Sequence, residues 1–178
     1  MKDEILHSAL QLAEREGWDQ VSTRRITKEF GYTTSAIYYY LGSKDHLLVE
    51  LQRQGFRQLR AVMQAAANQH PANNPAQLQA ISLAFWVFAF AHRTLYELMF
   101  GLAPVTCKGD AGTEILEAGE VVQAVLRRLS SADPMDLFLH WWALATGFVG
   151  IGLTVPVDRQ AHVQGLFAAG ISQFIQAL

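Results

Sequence analysis

Cys107 and the histidines His7, His46, His70, His92, His140 and His162 are the residues best suited to covalent, acid–base or metal chemistry. Their spacing supports none of it: no set has metal-ligand spacing, and no nucleophile, base and orienting acid form a recognisable triad. The expectation is therefore no enzyme, no catalytic residue, no metal and no cofactor. Cys107 reads as an incidental thiol, with oxidation sensing as the alternative. A single cysteine leaves no intrachain disulfide and fits a reducing cytoplasm. A different chemistry, the holding of a polyanion, is within reach of a second group: Thr23, Arg24, Thr33, Thr34, Ser35, Ala36, Tyr38, Tyr39, Tyr40 and Lys44. Cations and backbone N–H groups at helix starts hold phosphates, whereas short hydroxyl and aromatic side chains reach base edges and thymine methyls.

The elements that must position this second group are helices. Apolar residues recur at helical spacing throughout, and no alternation lasts long enough for a strand, so the expected class is all-α with about nine helices. Ile5, Ala9, Leu12 and Ala13 share one face of a first helix that Gly17 stops, and Trp18 and Val21 act as anchors before the next helix. Ser22 caps a second helix through Arg24, Arg25, Ile26 and Phe30, which Gly31 ends. Thr33 caps a short third helix closed by Gly42, and Ser43 caps a fourth that runs to about Ala67, with Gly55 as a tolerated weak point. Two short helices joined by a four-residue turn around Gly31, on a three-helix core, have the layout of a helix-turn-helix, the second helix being the reader. A plain three-helix bundle with ordinary surface Thr and Tyr is the alternative on geometry alone.

Residues 68–75 (NQHPANNP) form a clear loop, followed by helices at 76–91 and 92–101 and a Gly- and Pro-containing loop at 102–112. Further helices are expected at 113–129, from Pro134 through the long apolar stretch, and from about residue 158 to the C-terminus. The expected division is a DNA-binding domain at 1–48 and a pairing and sensing domain at 49–178.

Composition sets the function class. The net charge of −2 exerts no global pull on nucleic acid, so the claim rests on placement: residues 1–60 hold nine Lys or Arg against eight Asp or Glu, and the remainder five against eight. Hydrophobic residues make up 51% and charged residues 17%, an apolar balance that calls for a covered surface, most simply a subunit interface. Leu137 to Val157 carries no charge and is long enough to cross a bilayer, which makes a membrane-associated helical protein the competing reading. Gly147, Gly150, Gly152, Thr146, Thr154 and Pro156 interrupt it and no basic cluster flanks it, so no membrane association is expected. The N-terminus turns at once into an amphipathic helix without a signal-peptide core, and a cytoplasmic location is expected.

The stretch ILHSALQLAEREGWDQVSTRRITKEFGYTTSAIYYYLGSKDHLLVEL, residues 5–51, resembles the N-terminal domain of the tetracycline-repressor (TetR) family of transcriptional regulators. The features that carry the resemblance are the S-T-R-R-I start of the second helix, the F-G-Y turn, S-A-I-Y-Y-Y and L-G-S-K-D-H-L-L. The resemblance implies that Tyr38 and Tyr40 face DNA, that Thr34, Ser35 and Ala36 touch the groove and that Lys44 holds a phosphate. Tyr40 stands where many members carry His, which leaves the contact there open. Paired readers need half-sites about one helical turn, ~34 Å, apart, hence a near-palindromic double-stranded operator.

In the C-terminal half, FAFAHRTLYELMFG (88–101) and WWALATGFVGIGL (141–153) resemble a TetR subfamily named for a Trp, His, Gly pattern. Trp142 and Gly147 match, whereas Thr146 occupies the His position, so no imidazole role carries over. The resemblance implies a homodimer through a four-helix bundle of the last two helices, with Phe138, Trp141, Phe148, Val163, Leu166, Phe167, Gly170 and Phe174 at the interface. It also implies a small effector. An apolar, uncharged one is expected, with Met63, Trp86, Phe90, Met99, Phe100, Cys107, Trp142 and Thr146 as candidate contacts, since the charged Arg93 and Glu97 sit four apart and pair with each other. Repression relieved by the ligand is the expected mode.

Overall fold

The computed structural model describes residues 1–104 and 111–178, and among these it contains nine α-helices and no strand. They are α1 (Lys2–Glu16), α2 (Thr23–Phe30), α3 (Thr34–Leu41), α4 (Lys44–Ala67), α5 (Ala76–Ala91), α6 (Arg93–Met99), α7 (Gly112–Leu129), α8 (Pro134–Thr154) and α9 (Val157–Gln176), with a 3₁₀ turn at Trp18–Gln20. The all-α expectation holds. Packing divides the chain into two compact units, one of residues 1–56 and 92–115, the other of residues 57–91 and 116–178.

The first unit is built around α1. Ile5, Leu6, Ala9 and Leu12 bury its inner face, and Trp18, Val21, Ile26, Ile37, Leu41, Leu47 and Leu51 close around it, all 3% exposed or less. Burying each large apolar side chain contributes roughly 1.5–3 kcal/mol, enough to hold several short helices that are unstable alone. Gly17 ends α1 at φ 87°. The Trp18 indole N–H donates to the Thr94 carbonyl at 3.2 Å, and the Gln52 amide to the Leu98 carbonyl at 2.9 Å, so α6 is tied to this core. Gly55 is no weak point. A Cβ built there lies 2.9 Å from Met99 Cγ and 3.3 Å from Leu95 Cγ, so the missing side chain is what lets α4 and α6 cross. Beside this crossing, Phe100 stacks on Tyr96 with centroids 4.3 Å apart and tilts against Phe56 at 5.7 Å.

Glu50 is the buried charge of this unit, 7% exposed. It accepts hydrogen bonds from Lys2 Nζ at 2.6 Å and Arg53 Nη1 at 2.7 Å. Burial pushes its carboxyl up, but these two cationic donors outweigh it and hold the group below its ordinary value.

The second unit is layered on α8 and α9, joined through Val155 and Pro156 alone and packed together with α5. Asp133 caps α8 by accepting from the Met135 N–H at 2.7 Å, and Pro134 occupies the first turn, where no N–H is needed. Trp141, 1% exposed, donates its indole N–H to Ser82 Oγ at 2.8 Å, and Ser82 in turn donates to the Leu78 carbonyl at 2.7 Å. Trp86 is stacked between Phe90 (4.5 Å) and Phe167 (5.5 Å). Gly152 makes room for that stack: a Cβ there would lie 2.7 Å from the Trp86 ring and 2.8 Å from the Phe90 ring. Gln77 holds the 68–75 loop to the end of α4, donating to the His70 carbonyl at 3.3 Å and the Ala67 carbonyl at 3.0 Å while accepting from Arg128 at 3.1 Å.

Candidate nucleic-acid interface and effector region

Three N-caps set the geometry of the reader. Ser22 Oγ accepts from the Arg25 N–H at 3.3 Å, Thr33 Oγ1 from the Ala36 N–H at 3.1 Å, and Ser43 Oγ from the His46 N–H at 3.1 Å. Each of α2, α3 and α4 thus starts where its serine or threonine stands. Gly31, left-handed at φ 73° and ψ 13°, stops α2, and Gly42 at φ 66° stops α3; a side chain at either position would be strained. The turn between α2 and α3 holds residues 31–33, one fewer than expected, because Thr33 caps α3 and Thr34 is already its first residue.

Ile37 and Leu41, each 1% exposed, pin one side of α3 to the core. The other side is bare: Thr34 and Ser35 are exposed, Tyr38 is 54%, Tyr39 82% and Tyr40 39% exposed, and Ala36 is half-buried. Three exposed tyrosines on one short helix are a large uncovered aromatic surface. The charges around it sort by position. Arg15 and Arg25 are engaged by Glu16 and Glu29, Arg25 reaching Glu16 at 2.7 Å. Arg24 and Lys44, by contrast, have no carboxylate partner among the described residues, and nor does Lys28, one turn beyond Arg24 on the same side of α2. Thr23 is half-buried in the first turn of α2, and Thr33 is exposed. The expected nucleic-acid residues therefore gather on α2, α3 and the start of α4. Lys28 is not among the expected residues; it is exposed on the side of α2 that carries Arg24, four residues earlier.

The candidate effector residues divide. Met63 and Trp86 are buried, and Phe90, Trp142 and Thr146 half-buried, in the second unit. Met99 and Phe100 belong to the first unit, where Met99 faces Gly55 and Phe100 the Tyr96 stack. Cys107 lies outside the described residues. Thr146 donates its hydroxyl to the Trp142 carbonyl of its own helix at 2.7 Å. Arg93 and Glu97 do pair, at 2.8 Å.

The residues expected at a subunit interface fall into two sets. Trp141, Val163 and Phe167 are enclosed in the second unit's own packing, at 1%, 7% and 2% exposure. They are intrachain core: Trp141 is held by Ser82, and Phe167 stacks on Trp86. Phe138, Phe148, Gly170 and Phe174 are half-buried, and Leu166 is 49% exposed. Phe138 covers Gly119 of α7 at 3.1 Å from a built Cβ. Leu139 and Ile151, absent from the expected set, are 53% and 52% exposed. Between α8 and α9 runs a groove of about 650 Å³ lined by His140, Ala143, Leu144, Gly147, Phe148, Ile151, Gly170, Gln173 and Phe174. Cβ atoms built at Gly147 and Gly150 meet nothing within 4 Å, so these glycines, unlike Gly152, face open space. The most apolar stretch of α8 is only 28% buried within the chain. Among the described residues no group of three or more His, Cys, Asp or Glu stands where it could hold a metal.

The comparisons with known proteins agree with this geometry. Residues 5–51 match the bacterial regulatory proteins of the tetR family, and residues 78–174, over half of the chain, match the tetracyclin repressor-like C-terminal domain. The chain belongs to the TetR family. Its helix-turn-helix is the family's DNA-binding domain, and the chain is a TetR-family transcriptional regulator. A curated relative, the HTH-type transcriptional regulator BetI of Vibrio campbellii, is 33% identical over 72 residues; that match spans 40% of this chain and only 36% of the relative. A protein of unknown function from Rhodococcus sp. RHA1 superposes with a TM-score of 0.83 at 21% identity, covering 99% of this chain and 94% of that one. The TetR-family regulator PfmR from Thermus thermophilus gives 0.71 at 16% identity and 98% of both chains, and a TetR-family regulator from Streptomyces coelicolor gives 0.76 at 19%, covering 99% of this chain and 94% of that one. At these identities the likeness is one of fold. A membrane-associated helical protein without DNA-binding activity is not favoured by this membership.

Proposed function

We propose that this TetR-family chain is a repressor that binds a near-palindromic operator as a homodimer and is released from it by a small apolar effector. The observation that carries the reading is the uncovered aromatic face of α3, flanked by Arg24, Lys28 and Lys44, which have no carboxylate partner among the described residues. Phosphates of a duplex supply the missing counter-charges, and the grooves take the exposed side chains. Residues 1–48 make the DNA contacts, with Thr23, Arg24, Tyr38, Tyr40 and Lys44 on the backbone and Thr33, Thr34, Ser35, Ala36 and Tyr39 toward the bases.

Residues 49–178 serve pairing and sensing. The bare α8 and α9 surface, with Phe148, Leu166, Gly170 and Phe174, packs on its own copy across a two-fold axis, where Gly147 and Gly150 admit close helix approach. Met63, Trp86, Phe90, Trp142 and Thr146 form the effector contacts, and their apolar character favours an uncharged ligand. The ligand acts by population shift: it weakens operator binding only as far as it prefers a dimer whose two readers are misplaced for adjacent grooves.

Selection of bound fragments from random duplex DNA, followed by titration at several salt concentrations, tests the core of this reading. A near-palindromic site bound by a dimer supports it; indifference to every duplex at low salt removes it. For the effector, a panel of apolar compounds is scored for operator release and for a raised melting temperature, and a panel that changes neither removes the sensing role.

A further inference from the structure

Helix α3, Thr34–Leu41, contains no arginine, lysine, asparagine or glutamine. Those four side chains make the bidentate pairings that read base edges, arginine and lysine to guanine, asparagine and glutamine to adenine. The orientation of α3 decides which other surfaces it offers. With Ile37 and Leu41 turned into the core, a period of about 3.6 residues per turn puts Ser35, Ala36 and Tyr39 on the opposite side. Tyr39 is 82% exposed, its ring set edge-to-face against Tyr40 with centroids 5.0 Å apart. The surfaces available there are a methyl group, an aromatic ring and hydroxyls. A hydroxyl makes single hydrogen bonds to any base, so it discriminates weakly. An apolar surface selects one major-groove feature, the C5-methyl of thymine.

We propose that α3 specifies its half-site through thymine C5-methyl groups packed on the Tyr39 ring and the Ala36 methyl, the base pairs under this helix being A·T pairs read by shape and apolar contact and not by bidentate hydrogen bonding. The inference rests on the DNA-binding reading above. The occupant of the bare face is duplex DNA because Arg24, Lys28 and Lys44 on the neighbouring helices have no carboxylate partner among the described residues. On this reading they hold phosphates, contacts that carry no sequence information and leave discrimination to α3.

The test uses the full chain and the operator it selects from random duplex DNA. Each thymine of a half-site is replaced in turn by deoxyuridine, which removes the methyl and nothing else. At one or more positions the replacement lowers affinity about fourfold, the ratio corresponding to ~0.8 kcal/mol for one buried methyl-sized group. The same replacement has no further effect in Tyr39→Ala or Ala36→Gly, and it retains its effect in Tyr39→Phe, which keeps the ring. Tyr39 is exposed, so circular dichroism and melting temperature of its variants stay at the wild-type values. Tolerance of deoxyuridine at every position overturns the inference, as does sensitivity that persists undiminished in both the Tyr39→Ala and Ala36→Gly variants. Loss of binding on 7-deazaguanine substitution without any deoxyuridine effect also overturns it, placing the reading on cations outside α3. A chain that selects no duplex brings down the DNA-binding reading itself, whereas selection followed by deoxyuridine tolerance brings down this inference alone.

Discussion

Lys44 opens α4 with no carboxylate on its ammonium group among the described residues, so its contribution is read most directly as counterion release. Replacing it with alanine weakens operator binding and makes it less salt-sensitive. Each phosphate contact removed lowers the slope of log K against log salt by about 0.9, and a dimer loses two such contacts; an unchanged slope measured by fluorescence anisotropy would show that Lys44 touches no phosphate. Ser82 is a residue of the opposite kind, buried at 2% exposure, accepting from the Trp141 indole and donating to the Leu78 carbonyl. Ser82→Ala leaves a buried indole N–H unpaired and costs about 1–3 kcal/mol in chemical denaturation. In Trp141→Phe that N–H is already gone, so the serine substitution costs much less there, and equal costs in the two backgrounds would count against the bond. Glu50 adds a pH dependence with a definite sign. Its folded-state pKa lies below the ordinary 4.5, so its contribution is present above that value and is lost as pH falls through the lower, folded value. Urea midpoints followed down the acid limb should fall less steeply in Glu50→Gln than in the parent chain.

Helices show where pattern speaks and where it is silent. The caps at Ser22, Thr33 and Ser43 and the stops at Gly17, Gly31 and Gly42 were readable because each is a local event of one residue and its next turn. Pro134 and the long apolar helix after it were readable for the same reason. What the pattern could not supply was the partner of each apolar side chain. Phe167 has the same side chain as Phe148 and Phe174, yet it is enclosed within the chain and they line an open groove. The glycines divide in the same way: a Cβ at Gly55 or Gly152 would meet a neighbouring helix, whereas one at Gly147 or Gly150 would meet nothing within 4 Å. Alanine at Gly55 or Gly152 should cost about 1–3 kcal/mol through overpacking, despite alanine's better helix propensity. Alanine at Gly150 should leave the folding of a single chain unharmed, or improve it by up to ~1 kcal/mol, while weakening self-association if partner helices meet there. Thermal melts paired with sedimentation equilibrium separate these outcomes; a Gly150 variant that loses stability while its association constant is unchanged would speak against a helix contact at that point.

At the scale of the whole molecule, the 19.8 kDa chain leaves Leu139, Ile151 and Leu166 about half exposed on its last two helices. The proposed homodimer would cover them, in keeping with a chain of few charges. Leu166→Glu should preserve helical content, shift the sedimenting mass from twice that of the chain to that of one chain, and lose cooperative binding to a two-half-site operator. Retained dimer mass in this variant would move the interface off α9. The tryptophans have a practical consequence of their own. Trp18 belongs to the first unit, whereas Trp86, Trp141 and Trp142 belong to the second; Trp18, Trp86 and Trp141 are buried and Trp142 is half-buried. The chain therefore carries built-in optical labels. A Trp18→Phe chain keeps only the indoles of the second unit, so its emission follows melting of that unit, and the difference from the parent chain isolates the signal of the first, without attaching a dye.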